Sequence, residues 1–161
     1  MEIPNYDSKY NVRGNYKQLY PFMPNNNFRL LIAGPSGSGK TNTLMHMLQK
    51  PLIQFDKIHL YAKNLEQGKY QDLIKKVVTI SQQVGYPVME CSNDNIIPVG
   101  DLDSDNQKVI VFDDFVCDKN QKPLISYFIR GRHKNCSVIY LSQSFYKTPK
   151  DIRLNCSHYC I

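Results

Sequence analysis

Apolar positions along this chain fall into two patterns. The first is short and unbroken: Leu30–Ala33 ("LLIA"), Val109–Phe112 ("VIVF") and Val138–Leu141 ("VIYL"). A strand covered on both faces shows no polar alternation, so these runs predict buried strands of a parallel sheet. "KIHLYAK" (57–63) predicts another, "SHYCI" (157–161) the start of one more, and residues 88–91 a short one. The second pattern has helical spacing. Leu44, Met47 and Leu48 follow Thr41, and Pro51 stops that helix. "LEQGKYQDLIKKVVTISQQV" (65–84) predicts a second helix, although its β-branched stretch Val77–Ile80 also suits a strand. "KPLISYFIRG" (122–131) predicts a third, with Leu124, Ile125, Phe128 and Ile129 facing inward. Strands alternating with helices imply an α/β fold around a mostly parallel sheet.

Two regions lie outside this pattern. Residues 1–27 are polar, with Tyr6, Tyr10, Tyr16 and Tyr20 spaced along them, and predict an arm laid over a domain of residues 28–161. Residues 85–107 are rich in turn formers and predict a connection. At 161 residues the chain supports one domain with a real core. No apolar run reaches membrane-spanning length, and "MEIPNYDSKY" has no signal-peptide core, which predicts no membrane association. Five scattered cysteines without a C-x-x-C pair suit a reducing, intracellular setting.

The glycine-rich stretch behind the first strand changes the picture. "GPSGSGKT", Gly34 to Thr41, fits G-x-x-x-x-G-K-[ST], the phosphate-binding P-loop, and sits between a buried strand and a helix as that motif requires. Gly34, Pro35, Ser36, Gly37, Ser38 and Gly39 build a turn whose N–H groups converge on an anion; Lys40 reaches the β- and γ-phosphates, Thr41 ligates Mg²⁺, and Asn42 follows in the helix. A flexible linker has no need of Lys-Thr at fixed offsets. The expected ligands are therefore ATP and Mg²⁺.

Ligands of a parallel sheet bind beyond the carboxyl ends of its strands, so the acids ending "VIVFDD" face the same crevice. Asp113 is a candidate Mg²⁺ ligand, the Walker B acid, and Asp114 a candidate base for an attacking water. Either could instead be a turn or capping carboxylate. Gln143, just past the strand "SVIYLS", can hydrogen-bond both a γ-phosphate and a water without adding charge, or can be a plain turn residue. Arginines in "RGRHKN" (130–135) can neutralise a transferring phosphoryl from a neighbouring subunit, grip nucleic-acid phosphates, or complement a helix terminus.

Net charge is +6, and it is uneven: from Phe115 onward eight Lys/Arg stand against only Asp118 and Asp151. A basic half beside a nucleotide site favours a polyanionic partner, though a solvated basic face explains it equally. Two tempting metal patterns fail. "DLDSDN" lacks the turn glycine of a calcium loop at Asn106 and its bidentate acid at Phe112. Cys156, His158 and Cys160, expected on one strand face, lack a fourth zinc ligand.

Taken together, "LLIAGPSGSGKTN", "VIVFDDF", "RGRHKNCSVIYLSQS" and "TPKDIRLNC" resemble the poxvirus-type genome-packaging ATPases of the FtsK–HerA superfamily, over Leu30 to the end of the chain. The resemblance implies a RecA/FtsK-like P-loop NTPase fold, a three-layer sandwich. It implies Lys40, Thr41 and Asp113 at Mg-ATP, Asp114 as catalytic acid and Gln143 as sensor, with Arg132 or Arg153 as a finger acting in trans. It further implies a homo-oligomeric ring that translocates double-stranded DNA, with viral portal or capsid proteins as partners, in a virion or an infected host cell. Family members continue beyond the strand at which this chain ends, so a C-terminally shortened domain is expected. The alternatives are a small-molecule phosphotransferase and a nucleotide-dependent DNA-binding or assembly module without turnover. The neighbouring Asp114 and Gln143 suit an activated water better than an acceptor hydroxyl.

Overall fold

A computed structural model of the protein describes residues 27–49, 52, 53, 55–84 and 88–161. The predicted tyrosine-bearing arm and Pro51 lie outside the described residues. The strands are β1 (Arg29–Ala33), β2 (Lys57–Ala62), β3 (Met89–Ser92), β4 (Lys108–Asp113), β5 (Cys136–Ser142) and β6 (His158–Cys160). Between them run the helices α1 (Lys40–Gln49), α2 (Gly68–Val84), α3 (Lys122–Arg130) and α4 (Lys150–Asn155). The strands form one sheet in the order β3-β2-β4-β5-β1-β6, and every adjacent pair is parallel.

The unbroken apolar runs have the predicted cause. Along β1, Leu30 and Ile32 join a core with Leu44, Met47 and Leu48 of α1 and Tyr70, Leu73 and Val77 of α2. Leu31 and Ala33 enter a second core, on the opposite face, with Leu124, Tyr127 and Phe128 of α3 and Ile152 of α4. Successive strand side chains alternate faces, so helices on both sides require every position of the strand to be apolar. The result is the three-layer α/β sandwich.

Three details depart from the sequence reading or resolve it. Residues 77–80 continue α2 as helix. Their β-branched content yields to packing, because Leu73 and Val77 stay on the buried face while Val78 is 48% exposed. In α3 the inward residues are Leu124, Tyr127 and Phe128, and Ile129 faces out. Tyr127 wins that place because its hydroxyl donates to Ile97 O at 2.6 Å, which satisfies the one polar atom it buries. Cys156 is not in a strand with His158 and Cys160. It caps α4, its thiol donating to Ile152 O. Among the described residues, no helix is long and apolar enough to cross a membrane.

Candidate functional site

β1 passes into the loop 34–39 and then directly into α1. Gly37 and Gly39 have φ of +78° and +91°, conformations that side chains rarely adopt, so glycine is required where the loop wraps toward the helix. Gly34 N donates to Ser142 O at 3.1 Å, which ties the start of the loop to the end of β5. Lys40 folds back over the loop, its ammonium donating to Gly34 O at 2.7 Å and Pro35 O at 2.8 Å. Those carbonyls hold the cation above the cradle where an anion would sit.

The sheet order brings the other candidates in. β5 lies between β1 and β4, so the residues that follow β4 and β5 open onto the same crevice as the loop. A cleft of about 290 Å³ is lined there by Lys40, Thr41 and Asn42, by Asp113 and Asp114, and by Gln143. Ser36, Gly37 and Gly39 complete the loop side. Gln143 Nε2 donates to Asp114 Oδ1 at 3.0 Å, so the amide and the carboxylate form one unit. Asp114 itself has φ of +65°, a left-handed conformation at the end of β4. Its amide donates to Leu141 O at 3.4 Å, a long bond that still anchors the turn to β5.

Asp113 is half-buried, and Tyr70 of α2 donates to its Oδ2 at 2.5 Å. Burial raises the Asp113 carboxyl above the ordinary carboxylate range; the Tyr70 bond and the Lys40 cation oppose that rise, and Asp114 adds to it. The Tyr70 phenol is itself pushed up, by burial first and then by the Asp113 charge. Thr41 and Asp113 line the same cleft. Two hard oxygen donors beside a phosphate cradle fit Mg²⁺, which takes few protein ligands and completes its shell with water and phosphate. Among the described residues, no group of three or more His, Cys, Asp or Glu is arranged to hold a metal.

The arginines lie elsewhere. Arg132 is exposed in the short turn Gly131–Lys134 before β5, whereas Gln143 follows β5. The seven residues of that strand separate them by about 23 Å. Arg153, on α4, donates from Nε to Thr148 O at 3.1 Å and lies over the Phe145 ring, 5.2 Å from its centroid. Among the described residues, neither lines the cleft of its own chain. Three residues absent from the sequence reading do belong to the site: Gln67 and Lys69, which line the cleft, and Tyr70. Gln67 immediately precedes α2 and the other two lie in its first turn, and α2 follows β2, the strand beside β4.

The fold has counterparts among solved structures. The genome packaging NTPase B204 from Sulfolobus turreted icosahedral virus 2, in complex with ATP-gammaS, superposes with a TM-score of 0.55 at 13% identity. The match covers 83% of this chain and 74% of that one. EssC (ATPases 2 and 3) from Geobacillus thermodenitrificans gives 0.50 at 11% identity, over 83% of this chain and 32% of the other. These likenesses show a shared fold. By sequence, the DNA packaging protein OPG160 of Variola virus is 29% identical over 143 residues, covering 83% of this chain and 52% of the relative. The Vaccinia virus (strain Copenhagen) protein of the same name matches to the same extent. This chain thus spans about half the length of the curated relatives it matches. The model of the family described as Poxvirus A32 protein matches residues 15–161, a span that holds the P-loop, both acids and Gln143 on one sheet, and the chain therefore belongs to the poxvirus A32 family.

Proposed function

We propose that this chain binds Mg-ATP in the cleft beyond β1, β4 and β5, hydrolyses it, and uses the cycle to move double-stranded DNA during genome packaging. The observation that carries the reading is the convergence of Lys40, Thr41, Asp113, Asp114 and Gln143 on one crevice. The DNA-packaging role of the relatives supports the choice of substrate.

Each side chain has a task that its position allows. Lys40 exchanges the carbonyls of Gly34 and Pro35 for phosphate oxygens, a stronger, charge-assisted partner. Thr41 and Asp113 would hold Mg²⁺. The ion, when bound, neutralises charge on the β- and γ-phosphates. Asp114 accepts a proton from the attacking water as the water oxygen adds to the γ-phosphorus, while the bond from that phosphorus to the β,γ-bridging oxygen breaks and ADP leaves with its electron pair. Gln143 donates one amide hydrogen to Asp114, which fixes the carboxylate. When γ-phosphate is present, the same amide can turn to it, so the pair reports the state of the nucleotide. The cleft contains no arginine among the described residues. An arginine supplied by the next subunit of a homo-oligomeric ring, Arg132 or Arg153, completes the charge balance. In the setting of such an enzyme, a virion or infected host cell, portal or capsid proteins would anchor the ring.

The deciding experiment is phosphate release measured with and without linear duplex DNA. Hydrolysis stimulated by DNA is expected. Transfer of phosphate to a small acceptor, with no effect of DNA, would overturn the reading in favour of a phosphotransferase. Nucleotide binding without any turnover would leave only an assembly module.

A further inference from the structure

Tyr70 is the third residue of α2 and is fully buried within the core shared by α1, α2 and the sheet. Packing alone would be met there by phenylalanine. The phenol instead brings a hydroxyl to the functional end of β4, where it donates to Asp113 Oδ2. Thr41, the other candidate oxygen donor, lines the same cleft as Asp113. Tyr70 therefore reaches Asp113 from a third element, one that supplies neither of the two groups that would hold Mg²⁺.

We propose that Tyr70 is the positioning residue of the Mg²⁺ site, fixing the Asp113 carboxylate through Oδ2 so that Oδ1 is presented to the cation. The inference rests on the Mg-ATP reading given above. A carboxylate on the last residue of a strand is free to rotate about its side-chain bonds. One strong hydrogen bond from a buried, rotationally confined phenol removes that freedom before the metal arrives. Partners that orient a ligand in this way commonly affect metal affinity by about 10- to 100-fold. The first turn of α2 also places Lys69 on the cleft, beside Gln67 just before it, so a shift of this turn on nucleotide binding would move the Asp113 carboxylate with it.

The test uses the full chain, a fluorescent ATP analogue and magnesium chloride. Wild-type protein is expected to bind the analogue more tightly in Mg²⁺ than in EDTA. Tyr70→Phe should keep the EDTA affinity within about twofold and require on the order of 10-fold more Mg²⁺ for half of the tightening. In an Asp113→Asn background the same substitution should add no further shift, because its effect passes through that carboxylate. Thermal unfolding checks that Tyr70→Phe is folded, and Tyr70→Met offers a second hydroxyl-free side chain. An unchanged Mg²⁺ midpoint in a responsive system overturns the inference and leaves the ATP site standing. A full shift in the Asp113→Asn background also overturns it, as does an equal loss of affinity in EDTA and Mg²⁺. Failure of the wild-type chain to bind the analogue would overturn the ATP-site reading itself.

Discussion

Asp114 carries the clearest cost at the level of single residues. A left-handed backbone at φ +65° disfavours any side chain by roughly 1–2 kcal/mol, and glycine would avoid it. Asp tolerates the conformation better than most residues, yet its carboxylate here is held by Gln143 and faces the cleft rather than bonding its own backbone. Strain retained at such a point is what a functional side chain would explain. Asp114→Gly is therefore expected to be as stable as wild type or more so, within about 1 kcal/mol in a urea titration, since relief of strain offsets the added freedom of the unfolded chain. Phosphate release should nevertheless fall by about 10²- to 10⁴-fold, the usual worth of a positioned base. Nucleotide affinity should remain. A glycine variant that is less stable and still turns over would make Asp114 a structural residue. Lys40→Ala should differ from it in losing affinity as well as turnover, because its ammonium meets phosphate already in the bound state.

The individual elements are held in place by polar devices at their ends. β4, which delivers both acids, begins at Lys108, a lysine only 1% exposed. Its ammonium donates to Asp103 Oδ1 at 2.7 Å, Asn106 O at 2.8 Å and Asp103 O at 3.0 Å. The Lys108 ammonium beside it pulls the Asp103 carboxyl down to about 2. Within the loop "DLDSDN", Asp103 thus neutralises the buried lysine at the foot of the strand. Asp103→Asn should cost about 1–3 kcal/mol, less than a fully buried pair because Asp103 is itself 41% exposed. The sign with pH is fixed by the direction of the shift. A carboxyl whose folded value lies below the ordinary 3.8 stabilises the protein above that pH and loses this contribution as pH falls toward 2. Between pH 4 and 2 the thermal midpoint of wild type should fall more steeply than that of Asp103→Asn. The elements themselves were largely legible from the chain, because buried parallel strands and the P-loop turn are local patterns. What escaped depended on neighbours. Tyr127 takes the inner face of α3 over Ile129 because Ile97 offers a carbonyl, and Ile97 lies far along the sequence. Tyr70, Gln67 and Lys69 reach the site because β2 lies beside β4 although β3 intervenes in the sequence. Periodicity marks Tyr70 as core and carries no sign of the carboxylate at its hydroxyl.

Across the molecule, the candidate catalytic charges gather in one cleft and the candidate arginines do not. Among the described residues the cleft's cations are Lys40 and Lys69, and the arginine candidates lie outside it: Arg132 at the far end of β5, Arg153 packed on Phe145. An arginine that acts only on the transferring phosphoryl affects turnover far more than nucleotide binding. If it comes from a neighbour, hydrolysis per chain should rise with protein concentration as subunits associate. Arg132→Ala and Arg153→Ala should each bind ATP with near wild-type affinity, and the one that supplies the finger should lose hydrolysis. Mixing that variant with Lys40→Ala protein provides the decisive measurement. The Lys40 variant is expected to lose hydrolysis while it keeps both arginines, so it would complete the intact cleft of an arginine-deficient neighbour. Phosphate release recovered on mixing, where neither protein alone is active, identifies the finger and the assembly together. Arg132 is the stronger candidate on geometry, because it is exposed and its guanidinium makes no hydrogen bond among the described residues, whereas Arg153 is already bound to Thr148 O and lies over Phe145. Loss of ATP affinity in either variant without rescue would instead assign that arginine to the fold of its own chain.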